Sequence, residues 1–294
     1  MFIKEYLSNL QPSSTLLINE QSKKMEQEGR KIYKFGFGQS PFPVPQNIVE
    51  ELKKNAFQKD YLPVNGLAPL RQAIAKTLEQ KGLKHFSTDS IFVGPGTKQL
   101  MFLLQLAFEG DIILPAPSWV SYDPQAIISK NKVHWVQTKI ENNWHVTTEE
   151  MEKVLSLVTT KHKIIILNTP NNPSGTNAKN LQDLAEIFKK NNVIVLSDEI
   201  YSDLNFSDQY ESIAKYYPEK TIISNGLSKW CGAGGWRLGF FAIPDSLSAL
   251  NKTMQVLASE TYSAASAPVQ YAAISAYESD QSKYLDHSRR ILQL

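Results

Sequence analysis

Five short stretches of the chain hold residues able to move a proton, grip an anion or stack on a flat ring. In Asn225-Gly226-Leu227-Ser228-Lys229-Trp230-Cys231-Gly232-Ala233-Gly234-Gly235-Trp236-Arg237, a lysine stands among glycines with an arginine eight residues on. Surface lysines are usually solvated, yet few sit between an apolar strand-like run and a Gly-rich loop that leads into another. Asp198-Glu199-Ile200-Tyr201 sets a carboxylate and a phenol three residues apart. They share one face if a helical turn starts there, although Asp198 could equally be a helix cap. Gly94-Pro95-Gly96-Thr97-Lys98 precedes an apolar helical run, so its N–H groups and hydroxyl point at the helix start, in the form of a phosphate cradle. Taken alone, Gly and Pro there more often make a plain turn. Pro115-Ala116-Pro117-Ser118-Trp119-Val120-Ser121-Tyr122 supplies aromatics for stacking, or merely for a core. Asn168-Thr169-Pro170-Asn171-Asn172-Pro173-Ser174-Gly175 carries more amides than a plain turn needs.

Each stretch comes after a short β-branched run, which tells how they are positioned. Such runs predict strands at 91–93, 112–114, 133–136, 164–167, 193–197, 221–224 and 239–243. Three-to-four spacing of apolar residues predicts helices over 48–57, 70–80 (stopped by Gly82), 100–108, 149–158 behind a Thr147-to-Glu150 capping box, and 181–190. The alternation implies an α/β fold of three layers, α/β/α, with a mostly parallel seven-stranded sheet. Ligands then bind beyond the carboxyl ends of the strands, where the five stretches stand. The first forty-five residues read as an irregular arm ending in a proline-rich loop, and the chain after Pro244 reads as helical, breaking off in mid-pattern.

Composition excludes several classes. At 42% hydrophobic and 20% charged the 294 residues are too apolar for disorder. A net charge of +2, with the bases scattered, gives no stripe for nucleic acid. No apolar run approaches the roughly 18 residues of a membrane span, and Lys4 and Glu5 interrupt the N-terminus before any leader develops. The single cysteine, Cys231, makes no internal disulfide, so a cytoplasmic location is expected.

In this order the five stretches resemble the class I/II aminotransferases, pyridoxal-phosphate enzymes of fold type I, and look closest to the shorter bacterial aspartate aminotransferases. The resemblance implies a large cofactor domain over 46–275, an arm and part of a small domain over 1–45, and the start of the C-terminal small domain over 276–294. Lys229, in Ser-Lys-x-x-Gly-x-x-Gly-x-Arg, matches the lysine that forms the internal aldimine, with Ser228 beside it and Arg237 on the cofactor phosphate. Gly96, Thr97 and Lys98 fall at the phosphate cup, and Trp119 matches the aromatic stacked on the pyridine ring. Asn172 and Tyr201 match the partners of the phenolic oxygen O3′, and Asp198 the partner of the ring nitrogen. Tyr61, in Tyr61-Leu62-Pro63-Val64-Asn65-Gly66-Leu67, resembles the tyrosine that reaches the neighbouring subunit's cofactor phosphate, which implies a homodimer with shared sites. Gly38 matches the glycine along the substrate carboxylate, beside Trp119 and Asn172.

The chemistry implied is transamination. A protonated pyridine ring, kept so by Asp198, drains the electrons of a substrate carbanion, and Lys229 carries a proton between Cα and C4′. Burial and the nearby Arg237 are both expected to lower the pKa of Lys229. Amino-acid and 2-oxo-acid substrates are implied with it, aspartate-like ones favoured. The same residues would serve a β-eliminating lyase, and a homologue that binds cofactor without turnover is a third reading. Members of the family continue for about another hundred residues, a stretch that completes the small domain and carries the arginine on the substrate carboxylate. No residue here matches that arginine.

Overall fold

The computed structural model describes residues 2–33, 36, 38–206 and 210–294. Seven strands form one sheet: β1 (Ile91–Gly94), β2 (Asp111–Ala116), β3 (Val133–Gln137), β4 (Lys163–Asn168), β5 (Ile194–Asp198), β6 (Thr221–Gly226) and β7 (Gly239–Ala242). Their order is β1-β7-β6-β5-β4-β2-β3, and only β7 runs against the rest. The seven expected strands are all present, each within two residues of its expected ends.

Apolar runs with no alternation build the centre of the sheet because both of its faces are covered. Along β4, Ile164 and Ile166 pack with Leu100, Leu103 and Phe241 on one face, while Ile165 and Leu167 pack with Met151, Leu184 and Phe188 on the other. Each such side chain contributes roughly 1.5–3 kcal/mol through burial, which fixes the register of the central strands against slippage. The first face is covered by α4 (Thr97–Ala107), α5 (Tyr122–Ser129) and α8 (Ser248–Ser259), the second by α6 (Thr148–Leu157) and α7 (Leu181–Lys190). A third cluster joins β1, β6 and β7 to α2 (Gln46–Lys54), α3 (Ala68–Gln80) and α9 (Ala267–Glu278) through Ile48, Leu70, Ile74, Val93 and Phe240.

The local signals act as expected at two helix ends. Thr147 and Glu150 exchange both bonds of a capping box, at 3.2 and 3.0 Å. Gly82, at φ +85°, lets the chain leave α3, and Leu83 N–H closes back on the Leu78 carbonyl. Two helices go beyond the expectation. The arm contains α1 (Ser14–Gln27), which has too few apolar residues to show a periodic stripe. The helix α5 carries Pro124 in its first turn, where a missing N–H breaks no helical bond. The final helix, α10 (Ser282–Leu292), comes after α9 as expected.

The register places the functional edge. Asn168 of β4 pairs with Asp198 of β5, which pairs with Ser224 of β6, so three strand ends stand level. The residues just beyond them therefore share one rim.

Candidate active site

The loop between β6 and β7 holds Lys229. Leu227 N–H bonds to the Leu238 carbonyl and Ala233 N–H to the Leu227 carbonyl, drawing the two ends of the loop together. Gly232 sits at φ +67°, and a Cβ there would stand 2.7 Å from the Phe42 carbonyl oxygen, so the close approach of the N-terminal segment needs glycine. From this loop the half-buried Lys229 amine donates to the Gly38 carbonyl at 2.6 Å and lies 5.5 Å from the centre of the Tyr201 ring. Burial lowers its pKa below that of a free lysine, opposed by the negative charge of Asp198. The expected contribution of Arg237 is not what acts here; the arginine's charge bears on Lys98, whose pKa is lowered first by burial and then by Arg237.

Asp198 ends β5 and is 4% exposed. One carboxylate oxygen accepts the Tyr122 hydroxyl at 2.6 Å, and the other accepts Ile200 N–H at 3.3 Å. Burial raises its pKa to about 6, against the opposing effects of these two donors and of Lys229. No helical turn runs from 198 to 201. Asp198 is the last strand residue, and Tyr201 precedes a short 3-10 helix, Ser202–Leu204. A strand end leading into a turn brings the two groups to the same rim without a shared helix face.

Asn172 donates to the Tyr201 hydroxyl at 3.4 Å, and its own N–H is held by the Asn168 side chain at 2.6 Å. Asn168 also donates from its amide to the Asp198 carbonyl at 2.9 Å, tying the Asn172 turn to the end of β5. Burial and the charge of Asp198 push the Tyr201 phenol up to about 12, opposed by the Asn172 donor.

Gly96, Thr97 and Lys98 enter α4 beside Arg237. Gly96 has φ +88°, and a Cβ there would collide with the Arg237 guanidinium. Arg237 donates to the carbonyls of Gly234, at 2.7 Å, and Pro95, at 3.3 Å. The Lys98 amine lies 5.0 Å from the centre of the Trp119 ring, and Trp119 meets Tyr122 edge-on at 5.2 Å. Ser228 is half-buried next to Lys229. Tyr61 stands apart: it is 93% exposed and makes no hydrogen bond to this cluster. Phe35 and Phe37, which flank the glycines of the arm, lie outside the described residues.

Two residues of the cluster carry no role in the motif reading, Tyr122 and Asn168. The signal for Tyr122 is its place three residues after Trp119, where a buried phenol must find an acceptor. A separate cavity of about 600 Å³ lies between α3, α9 and α10, lined by Trp230 and Glu199 but not by Lys229, Asp198, Tyr201 or Arg237. Among the described residues there is no group of His, Cys, Asp and Glu suited to a metal ion, and no helix long and apolar enough to cross a membrane.

The model of the family "Aminotransferase class I and II" matches residues 30–294. The chain belongs to that family. Like other class I and II aminotransferases, it is a pyridoxal-phosphate-dependent transferase of amino groups. It is 34% identical to an aspartate aminotransferase of Bacillus sp. (strain YM-2), over 95% of this chain and 74% of the relative. It is 31% identical to the enzyme of that name from Thermotoga maritima, over 95% and 75%. Its fold superposes on an aspartate aminotransferase from Thermus thermophilus solved with maleate with a TM-score of 0.92, at 24% identity, covering 100% of this chain and 78% of that one. The solved Thermotoga maritima aspartate aminotransferase gives 0.88 at 29% identity, covering 98% and 78%. The match establishes the type I fold of pyridoxal-phosphate transferases.

The residues of this aminotransferase fit the cofactor chemically. A buried carboxylate, an amine of lowered pKa, and a phenol paired with an amide suit a pyridine nitrogen, an aldehyde and a phenolic oxygen. A helix start without Cβ at Gly96, flanked by a guanidinium, suits a phosphate.

Proposed function

We propose that the enzyme transaminates aspartate-like amino acids with a 2-oxo acid, using Lys229 as its covalent and acid/base residue. The observation that carries this reading is the Lys229 amine itself, half-buried, lowered in pKa and close to both Gly38 and Tyr201. Bound pyridoxal phosphate supplies the electron sink that makes the Cα–H of an amino acid acidic. Lys229 would hold the aldehyde carbon in the resting enzyme. Once free, its Nζ would take the Cα proton, and a lowered pKa keeps that amine unprotonated more of the time. Asp198 would hold the proton on the ring nitrogen. Burial makes its own charge costly, and a cationic N–H opposite would stabilise it. Asn172 and Tyr201 would donate to O3′, Trp119 would stack on the ring, and Gly96, Thr97, Lys98, Ser228 and Arg237 would hold the phosphate. Gly38 would line the substrate.

The exposure of Tyr61 supports a homodimer in which this phenol serves the neighbouring site. The aspartate preference is supported by the names of the relatives. A cytoplasmic setting is supported by the lone Cys231, buried with its thiol pushed up to about 12. The domain reading of 1–45, 46–275 and 276–294 goes with this proposal.

The test mixes holoenzyme with aspartate, glutamate, alanine, cysteine conjugates and aromatic amino acids and monitors the cofactor's visible band in a single turnover. Fastest bleaching with aspartate, reversed by 2-oxoglutarate, is expected, and borohydride should fix the cofactor to Lys229. Pyruvate and ammonia released from cysteine conjugates would point instead to the lyase. A band unmoved by any amino acid would leave a binding protein only.

A further inference from the structure

His145 lies outside every motif of the site, yet it is 7% exposed, and its surroundings aim it at the loop that carries Asn172. The two residues before it, Asn143 and Trp144, both stand in the left-handed region, at φ 52° and 57°. For two consecutive residues other than glycine this is a strained backbone, kept only where the surroundings over-determine it. The strained pair delivers two groups to one hydroxyl: the Asn143 carbonyl lies 2.5 Å and His145 Nε2 3.0 Å from Thr176 Oγ1. Thr176 Oγ1 lies 2.8 Å from Ser174 Oγ, and Ser174 Oγ lies 2.9 Å from Asn171 Oδ1. Asn171 precedes Asn172, and its backbone N–H and carbonyl also close the loop onto Thr176 and Gly175. On its other side His145 borders a void of about 10 Å³ shared with Tyr122, Asn168 and Asn171.

Counting protons fixes the direction of the chain. Thr176 has one hydroxyl proton, and the Asn143 carbonyl can only accept. If His145 Nε2 were also an acceptor, one of these two would face Thr176 without a proton. With Ser174 Oγ also at the Thr176 hydroxyl and giving its own proton to Asn171, the assignment that leaves the fewest contacts without a proton has Nε2–H donating to Thr176. Burial, opposed by the Thr176 backbone, lowers the pKa of His145 and so favours the neutral ring.

We propose that His145, as the Nε2–H tautomer, is a positioning residue that locks the 171–176 loop through Thr176 and thereby sets the direction in which Asn172 donates. The proposal rests on the reading that Asn172 faces O3′ of the cofactor. A donor to that oxygen stabilises its anionic form, so the lysine-linked cofactor loses its proton more readily and the pH midpoint of its visible band falls. Slack in the loop raises the midpoint.

The test titrates that band in wild-type holoenzyme, His145→Leu, His145→Gln, Thr176→Val, Asn172→Ala and the His145→Leu/Asn172→Ala pair. His145→Leu and Thr176→Val should each raise the midpoint by about half a pH unit, the size expected from a partly lost hydrogen bond. His145→Gln, which keeps an N–H donor, should restore it, and the double variant should match Asn172→Ala alone. Nitrogen-15 shifts of labelled histidine should place the proton on Nε2. An unmoved midpoint in both His145→Leu and Thr176→Val, while Asn172→Ala moves it, would overturn the lock and leave the active-site reading standing. Additive shifts in the double variant, or a proton on Nδ1, would also overturn it. Wild-type enzyme with no lysine-linked band would sink both readings, and if His145→Leu does not fold, Thr176→Val decides.

Discussion

The two ends of the candidate site are built differently. Around Asp198 the polar partners are buried: Tyr122 and Ile200 on the carboxylate, Asn168 and Thr169 on the backbone, with three strand ends in register beneath. Around Arg237 the groups are open. Among the described residues the guanidinium bonds to carbonyls of its own loop and of the Gly96 turn, and Lys98 lies over an indole. On the proposed roles, the difference separates two tasks. Tuning the charge of a ring nitrogen needs a dry environment assembled in advance, whereas gripping a phosphate needs donors that the ligand itself can draw together.

If the buried end sets the electronics, damage there should cost the most. Asp198→Asn should retain cofactor but lose turnover on the order of a thousandfold, since a neutral amide cannot balance a cationic N–H in a buried site. Steady-state rates beside cofactor occupancy would check this, and near-normal turnover would refute the role. The same variant tests the charge of Asp198 in the apoprotein. The folded pKa of about 6 lies above the ordinary 3.8, so the folded state binds the proton more tightly than the unfolded one. This group's contribution to stability is therefore present below pH 3.8 and lost as pH rises to about 6, and that loss should be missing from Asp198→Asn in paired urea titrations.

A smaller effect is expected at Tyr122. Tyr122→Phe removes a donor to the carboxylate and should raise the Asp198 pKa further, with a loss of roughly tenfold in turnover, in keeping with a hydrogen bond to a charged group. The pH dependence of apoprotein stability reads the first and initial rates the second; an unchanged pKa would mean that Tyr122 only fills space. At the open end, Tyr61→Phe should weaken cofactor retention by about threefold to tenfold while leaving the Cα-proton step alone. Equilibrium dialysis would measure it, and full retention in a demonstrated dimer would remove Tyr61 from the site.

Much of this was legible in the residues because strand and loop have distinct signatures. Unbroken apolar runs such as Ile164 to Leu167 can only be central strands or buried helix, and their length decides. The loop after each run then falls at one rim by topology alone, which is why Lys229, Asp198, Asn172 and Gly96 could be read together. The residues that hold them were harder to find. Tyr122 reaches Asp198 across 76 positions of sequence, and Asn168 reaches it between paired strands, so neither contact has a local pattern. The source of the low Lys229 pKa was likewise misplaced by proximity in sequence, since eight residues of loop turn the Arg237 charge toward Lys98. The helix α1 left no trace because a polar helix has no stripe to see.

The single reversed strand has one further consequence. Because β7 returns beside β6, the excursion between them starts and finishes at one pair of glycines, Gly226 and Gly239, whose backbones approach so closely that a Cβ on Gly226 would come within 2.7 Å of Gly239 Cα. Lys229 and Arg237 are both carried on that one clasped excursion. If Lys229 and Arg237 hold the two ends of the cofactor as proposed, the span between them is set by a ruler sewn shut at its base, and shifts of the helices around it need not change the reading.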